Sequence, residues 1–310
     1  MPWRLHTTAA PVLLAALLAA TPLDAHESPD EKARRLSAEI ARRGGTPELL
    51  CRRATELRVY GRTDAAVADL HAALRLDPTY VPALIDLARI ETARSRTTEA
   101  LAAVNHALDH APAAVRPELL MIRAELFEAK RDRPAALRDC DEAISSAEPA
   151  EDWFLARARI QLALGRQDDA ARGLSEGFRR NGSAVLETEW VECLIDAGKP
   201  AAALPVIERN LAEVRLKSSW LIRRARANLS AGKAPTARPD LLEALDEIET
   251  RLSPTRPDLT LLAERGLARA LLGNTEAARA DLERVRRAGA TGWMLIRLES
   301  ALRPTSTGAK

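Results

Sequence analysis

The strongest constraint on the fold is a repeat of about 34 residues, first clear between Leu50 and Pro112. A small residue returns at steps of 34, 36, 34, 33, 34 and 41 residues. The residues at this place are Ala54, Ala88, Ala124, Ala158, Val191, Ala225 and Gly266. A period of this length is typical of two-helix units that stack because neither helix can bury its apolar side alone. We therefore expect seven repeats, starting near Pro47, Val81, Pro117, Glu151, Ala184, Ser218 and Leu259.

The second helix of each unit carries its own repeat. An alanine is followed four residues later by a larger apolar residue, which predicts one buried stripe. These pairs are Ala66/Leu70, Ala100/Val104, Ala136/Cys140, Ala170/Leu174, Ala203/Ile207, Ala237/Leu241 and Ala278/Leu282. Pro205 and Pro239 fall inside two second helices, so a late start or a kink is expected in both. The long final step predicts a lengthened helix from Asp240 to Leu252.

Glycine closes the first helix in five of the seven units, as expected at a C-terminal cap. These residues are Gly61, Gly165, Gly198, Gly232 and Gly273. The second and third units have Arg94-Ser95-Arg96 and Arg131-Asp132-Arg133 at this turn instead.

The unit resembles the tetratricopeptide repeat, whose pattern places small and large apolar residues at these positions. Leucine stands at most places where that family has bulky aromatics. The resemblance implies an all-α fold: an α-solenoid, a right-handed superhelix of about seven stacked repeats over residues 47–286. It also implies a non-enzymatic protein–protein interaction scaffold without a cofactor.

Both ends of the chain lie outside the repeats. Residues 1–25 read as a secretory signal peptide, with Arg4, an apolar run from Val12 to Ala20 and Ala25 at the cleavage site. An uncleaved membrane anchor is the alternative. Residues 26–46 predict an N-terminal capping helix that starts at Ser28-Pro29 and ends at Gly44-Gly45. Residues 287–310 predict a C-terminal capping helix from Trp293 and a disordered tail after Pro304.

Composition and motifs narrow the function. The 310 residues carry a net charge of +2 with both signs interspersed, so no basic stripe for nucleic acid is expected. No phosphate-binding, dinucleotide-binding or serine-hydrolase motif occurs, and no catalytic constellation can be assembled. We therefore expect a chain that is not an enzyme. Its three cysteines are expected to be small buried residues too far apart for disulfides, with a free thiol at Cys51 on the groove side as the alternative.

A metal site is the main chemical alternative. Signal cleavage after Ala25 would leave His26 as the first residue, where its amino group and imidazole could bind copper. His106 and His110 stand four residues apart on a helix, but they lack the glutamate of the zinc-protease motif. A solvated helix face is the favoured interpretation of that pair.

The first helices should line a concave groove that binds the partner. One place in this row alternates in charge, so neighbouring residues are expected to pair with each other. The residues are Thr55, Arg89, Glu125, Arg159, Glu192 and Arg226. The family's peptide clamp of lysines and asparagines is not matched, because those places hold Cys51, Thr55, Asp86 and Glu118.

A second row of arginines precedes the small residue of the first helices. We expect each to pair with a local carboxylate, with an anion-binding ladder as the alternative. The residues are Arg53, Arg123, Arg157, Arg224 and Arg265.

The leading hypothesis is an exported scaffold, periplasmic or extracellular, that binds a peptide or protein in its groove. One alternative is a periplasmic accessory protein that binds a metal or small ligand through His26 or His106/His110. The other is a membrane-tethered assembly factor.

Overall fold

The computed structural model describes residues 28–146, 148–253, 255, 257–289 and 293–303. These residues form sixteen α-helices and no strand. They divide into two compact units, Met1–Pro112 and Ala113–Lys310. No helix in the described ranges has both the length and the apolarity needed to cross a membrane. Segment 1–25, His26 and the tail from Pro304 lie outside these ranges.

The first unit has one capping helix and two helix pairs. Helix α1 (Pro29–Arg43) starts with a capping box, in which the Ser28 hydroxyl accepts from the Glu31 N–H and the Glu31 carboxylate accepts from the Ser28 N–H. Leu36 is buried, and Ala33 packs in the core of the first pair, so α1 covers the first repeat as expected. The helices are α1 (Pro29–Arg43), α2 (Pro47–Val59), α3 (Thr63–Leu76), α4 (Val81–Ala93) and α5 (Thr97–His110).

The second unit has five helix pairs and a final short helix. A continuous apolar core runs through most of this unit, from Ile144 to Ala268. The helices are α6 (Arg116–Ala129), α7 (Arg133–Ile144), α8 (Glu151–Ala163), α9 (Gln167–Asn181), α10 (Ala184–Asp196), α11 (Pro200–Glu213), α12 (Ser218–Ser230), α13 (Ala234–Arg251), α14 (Leu259–Leu271), α15 (Thr275–Arg287) and α16 (Trp293–Ala301).

The repeat period locates the first helices closely. Six of the seven begin at the predicted residue, and α6 begins at Arg116, one residue before the predicted Pro117. The small residues of the first helices and the paired rows of the second helices are all buried. These observations confirm the prediction of an all-α solenoid built from helix-turn-helix repeats.

All seven turns between the helices of a pair have the same backbone shape. Gly61, for example, has φ of +83°, and the next N–H, of Arg62, bonds the Leu57 carbonyl at 2.8 Å. Ser95 and Arg131 take this place in the two units without glycine, with φ of 60° and 62°. The hydrogen bonds of the turn therefore fix a left-handed conformation that these two side chains disfavour.

Of the two outcomes expected for Pro205 and Pro239, a late helix start or a kink, the late start is wrong. α11 begins at Pro200 with Pro205 inside it, and α13 begins at Ala234 with Pro239 inside it. Each internal proline leaves one carbonyl of the first turn without its helical N–H. Both prolines lie on the exposed side, where water can bond that carbonyl. The free-energy cost of this lost helical hydrogen bond is too small to move the start of the helix.

Some helix ends are completed by side chains from another helix of the same repeat or of the following one. Glu247 of the lengthened helix α13 accepts from the backbone N–H groups of Lys217 and Ser218, at 2.8 and 3.1 Å. These groups lie at the start of α12, which has no side-chain cap of its own. Arg180 of α9 donates to the carbonyls of Ile144 and Ser146, at 2.9 and 2.8 Å, at the end of α7.

Candidate functional site

The candidate site is the surface formed by the first helices of the pairs, here called the groove face. In the first unit α2 contacts α4, and in the second α8, α10, α12 and α14 contact one another in succession. Among the described residues, no two second helices make contacts of comparable extent. In each unit, the first helices therefore pack against one another more closely than the second helices do.

In the first unit the groove face centres on Asp86 of α4. The Thr55 hydroxyl donates to Asp86 Oδ2 at 3.1 Å, and Arg89 lies 3.8 Å from the same carboxylate. The Arg89 side chain is about half exposed, at 49%. Cys51 lies beneath Asp86, with Sγ 3.7 Å from Oδ2. The predicted residues Thr55 and Arg89 therefore share one carboxylate that the charge pattern alone did not include.

In the second unit, two of the predicted groove residues, Glu125 and Arg159, have exposed side chains. Glu125 of α6 is exposed, and Arg159 of α8 keeps 58% of its side chain exposed. The expectation that neighbouring charges in this row pair with each other is wrong here. Arg159 lies 3.9 Å from Glu128, one helical turn beyond Glu125, because the arginine reaches along the neighbouring helix.

The last two predicted residues do pair, inside a buried cluster of charges. Glu192 is only 2% exposed and binds Arg226 directly. Its carboxylate also lies 3.0 Å from Arg223 Nε, and Arg226 reaches Asp196 at 2.6 Å. The cluster joins α10 and α12 and adds Arg223, which the sequence pattern did not single out.

The charges of this cluster shift one another's proton affinity. Burial alone would raise the pKa of Glu192, but the guanidinium groups of Arg223, Arg226 and Arg297 outweigh it and hold this pKa below its ordinary value. Burial raises the pKa of Asp196, against the opposing effect of Arg226. Glu192 therefore remains charged at neutral pH as the centre of the cluster.

The C-terminal helix α16 lies across the groove face of the second unit. Arg297 Nε lies 3.1 Å from Glu192 and its Nη2 lies 3.3 Å from Glu189, so α16 is tied to α10. Leu298 is fully buried against α14, where a Cβ at Gly266 would come within 2.8 Å of its Cδ2. The sequence predicted this helix but not its position. Two signals could have indicated it: an arginine inside an apolar helix, and glycine instead of alanine at the crossing place of the last repeat.

The histidines and cysteines have ordinary structural positions. The rings of His106 and His110 lie 5.2 Å apart, edge to face, with His106 half-buried and His110 exposed. Within the described ranges, no group of three or more metal-ligating side chains is placed to hold a metal ion. His26 lies outside those ranges.

All three cysteines are free of disulfides and buried. Burial raises the pKa of Cys51 and Cys140 to about 12, and that of Cys193 to about 11. A thiol that stays protonated is a poor nucleophile, so the structure favours the buried-residue interpretation over an available free thiol at Cys51.

Four of the five arginines in the second row pair with an aspartate sixteen residues later. In each pair the guanidinium donates two hydrogen bonds to the carboxylate of the second helix, at 2.6–3.1 Å. The pairs are Arg53–Asp69, Arg123–Asp139, Arg224–Asp240 and Arg265–Asp281. The prediction of local carboxylate partners is confirmed for these four, and also for Arg157, whose partners are the different carboxylates Asp141 and Glu176.

Comparisons with known proteins agree with the repeat architecture. Residues 60–126 match the family model described as tetratricopeptide repeat. A tetratricopeptide repeat protein from Parabacteroides merdae ATCC 43184 is 18% identical, with a TM-score of 0.56 over 83% of this chain and 98% of that one. The C-terminal part of a repeat protein from Cytophaga hutchinsonii is 13% identical, with a TM-score of 0.51 over 90% of this chain and 96% of that one. Both similarities are similarities of fold. No curated protein matches the chain.

Proposed function

We propose that this tetratricopeptide-repeat protein is an exported, non-enzymatic scaffold that binds a peptide or protein partner on its groove face. The repeat fold itself suggests a protein–protein interaction scaffold. Stacked helices offer a preformed surface, so little conformational entropy is lost when a partner binds.

The position of α16 is the observation that carries the proposal. In the second unit the groove face already holds one helix of the chain, through the ion pairs of Arg297 and the buried side chain of Leu298. An amphipathic helix in a groove is a recurrent mode of peptide recognition. A partner helix with an arginine beside a leucine would make the same contacts with Glu189, Glu192 and α14.

The groove face continues beyond α16, and this further surface also supports the proposal that a partner binds there. A small cavity beside Arg297 is lined by Leu155 and Leu162 of α8 and by Leu174 of α9. Apolar side chains next to paired charges suit a partner that is longer than α16 itself. Glu125 and Arg159 lie on the open part of the same face.

A non-enzymatic role fits the chemistry of the groove face. Glu192, its most buried carboxylate, is held by three guanidinium groups, and Cys51 and Cys193 stay protonated at neutral pH. A catalytic acid, base or nucleophile needs a pKa near the working pH instead. These groups are thus placed to bind rather than to react.

Peptide binding can be tested with α16 itself. Arg297→Glu in the full chain puts a carboxylate beside Glu189 and Glu192, and we expect it to release α16. A labelled peptide of residues 293–303 should then bind this variant, measured by fluorescence anisotropy, and bind wild type much more weakly. The matched control is the same peptide with Arg297→Glu. If hydrogen exchange shows that α16 is released and the wild-type peptide still fails to bind, the groove proposal is wrong.

Export rests on the sequence pattern of residues 1–25. An intact mass of the protein from its exported fraction should correspond to a chain that begins at His26. A chain that begins at Met1 would support the membrane-tethered alternative. Copper titration of the mature protein tests the metal alternative, which requires His26 or the His106/His110 pair as ligands.

A further inference from the structure

The fourth repeat breaks the rule of the arginine–aspartate pairs. In four repeats the arginine before the crossing residue binds an aspartate sixteen residues later on the second helix. In the fourth repeat the arginine is Arg157, on α8, and the place of the aspartate is taken by Gly173, on α9. This arginine therefore has no carboxylate where its four counterparts have one.

Arg157 compensates only in part. Nη1 lies 3.3 Å from Asp141 and Nη2 lies 3.1 Å from Glu176, and both carboxylates are about half exposed. Nη2 has moved into the space above Gly173, 2.8 Å from where a Cβ would stand. Nε is buried and has no hydrogen-bond partner in the described part of the chain. In the four regular pairs, Nε is one of the two atoms that donate to the aspartate.

An open cavity of about 380 Å³ lies beside this arginine. Its lining includes Gln161, which is only 8% exposed and whose Oε1 also has no partner among the described residues. A buried donor on Arg157 and a buried acceptor on Gln161 therefore line the same cavity. Leaving such groups unpaired is costly, which favours a ligand that pairs both.

We propose that this cavity binds a small carboxylate that replaces the missing aspartate. The ligand's carboxylate accepts from Arg157, as the aspartates do in the other repeats, and a neighbouring N–H or O–H of the ligand donates to Gln161 Oε1. Two sources have this chemistry: the C-terminal residue of a peptide and a free hydroxy acid. Arg172 and Arg179 also line the cavity, but so do Asp169 and Glu176, so a single negative charge fits better than a phosphate dianion.

This site is separate from the groove face. Gly173 and Glu176 are on the second helix α9, and Asp141 is on the second helix α7. The site therefore lies on the side of the second helices, and its function does not depend on whether the groove face binds a partner.

Gly173→Asp is the decisive variant, because it should fill the site and complete the pair. A Cβ at this place meets only the end of the flexible Arg157 side chain, which can move into the geometry of the other four pairs. We expect no loss of thermal stability and at least about tenfold weaker ligand binding, since a charge-assisted hydrogen bond is lost to the ligand. Weaker binding in a variant that is not destabilised cannot be attributed to misfolding.

Binding is measured by NMR chemical-shift titration of the full chain with N-acetylglycine, lactate, acetate and inorganic phosphate. Wild type should bind N-acetylglycine or lactate more tightly than acetate, and all three more tightly than phosphate. Stronger N-acetylglycine binding indicates a peptide C-terminus, and stronger lactate binding indicates a free hydroxy acid.

Two variants test the individual contacts. Arg157→Lys keeps the charge but loses the forked donor, so binding should weaken by about tenfold. Gln161→Leu should reduce the affinity for N-acetylglycine and for lactate to the affinity measured for acetate. Equal binding by wild type and Gly173→Asp, or tighter binding of phosphate, would overturn the proposal. So would the absence of saturable binding.

Discussion

Glu192→Gln tests whether one carboxylate holds together the groove face of the second unit. Glu192 binds Arg226, lies 3.0 Å from Arg223 Nε and 3.1 Å from Arg297 Nε, and is 2% exposed. The substitution keeps the size of the side chain and removes its charge. Three buried guanidinium groups would then lose their shared counter-ion, and the carboxylates that remain near them include Glu189, Asp196 and Glu264.

The expected loss is a large fraction of the stability of a typical domain. Removing one partner of a buried ion pair costs about 3–5 kcal/mol, because the other charge is left uncompensated. The amide can still accept a hydrogen bond, so we expect the free energy of unfolding to fall by about 3 kcal/mol at neutral pH. That is a substantial part of the roughly 5–15 kcal/mol that stabilises a native domain.

The pH dependence gives an independent check. The pKa of Glu192 is lowered below its ordinary value of 4.5 in the folded protein. Its stabilising effect is therefore present above pH 4.5 and is lost as the pH falls through the lowered folded pKa. The difference between wild type and Glu192→Gln should shrink in acid.

Urea denaturation at neutral and acid pH measures both effects. The matched control is Glu125→Gln, an exposed glutamate at the equivalent place in the third repeat, which should change stability by less than about 0.5 kcal/mol. Hydrogen exchange of α16 should increase in Glu192→Gln, because Arg297 loses its anchor. A Glu192→Gln protein within about 1 kcal/mol of wild type at neutral pH, or a difference that grows in acid, would refute the reasoning.

Three further predictions follow from single positions. Arg131→Gly and Ser95→Gly should each raise the free energy of unfolding by about 0.5–1 kcal/mol, since glycine relieves the positive φ at a smaller entropic cost. Lower stability in both variants, by urea denaturation, would contradict this. Phe154→Ala removes a ring that is 1% exposed and should cost about 3–5 kcal/mol, and a loss under about 1 kcal/mol would show that the site collapses. Iodoacetamide should label the three cysteines at pH 8 only after unfolding, because each thiol has a pKa far above that pH. Labelling is followed by mass spectrometry. Rapid labelling of the folded protein would contradict this prediction, because it would show an accessible thiolate. The residues are Cys51, Cys140 and Cys193.

The helices and their order could be predicted because the same residue pattern recurs in seven units of the sequence. One ambiguous helix start, such as that of α4 at Val81, is settled by the same place in six other repeats. The positive φ of Ser95 and Arg131 follows only when the turn is compared with Gly61 and Gly165. Neither side chain favours that conformation locally, so the hydrogen bonds of the turn decide it.

Contacts outside the period could not be predicted in the same way. Arg297 reaches Glu189, a residue 108 positions earlier, and no spacing in the sequence indicates that contact. The arginine–aspartate pairs could have been predicted from the sequence, because an aspartate stands sixteen residues after four of the five arginines. The exception at Gly173 becomes informative only once Arg157 is known to lack a partner for Nε.

The bonds from Glu247 to the start of α12 also affect how the chain can be assembled. The backbone N–H groups of Lys217 and Ser218 find their acceptor about thirty residues later. While the protein is being synthesised, α12 can therefore form its helical turns but not complete its first one until α13 has emerged. A fragment that ends at Ser230 would have two unsatisfied backbone donors as well as an uncovered apolar side. The two helices of the sixth repeat are thus better treated as one unit than as separable parts.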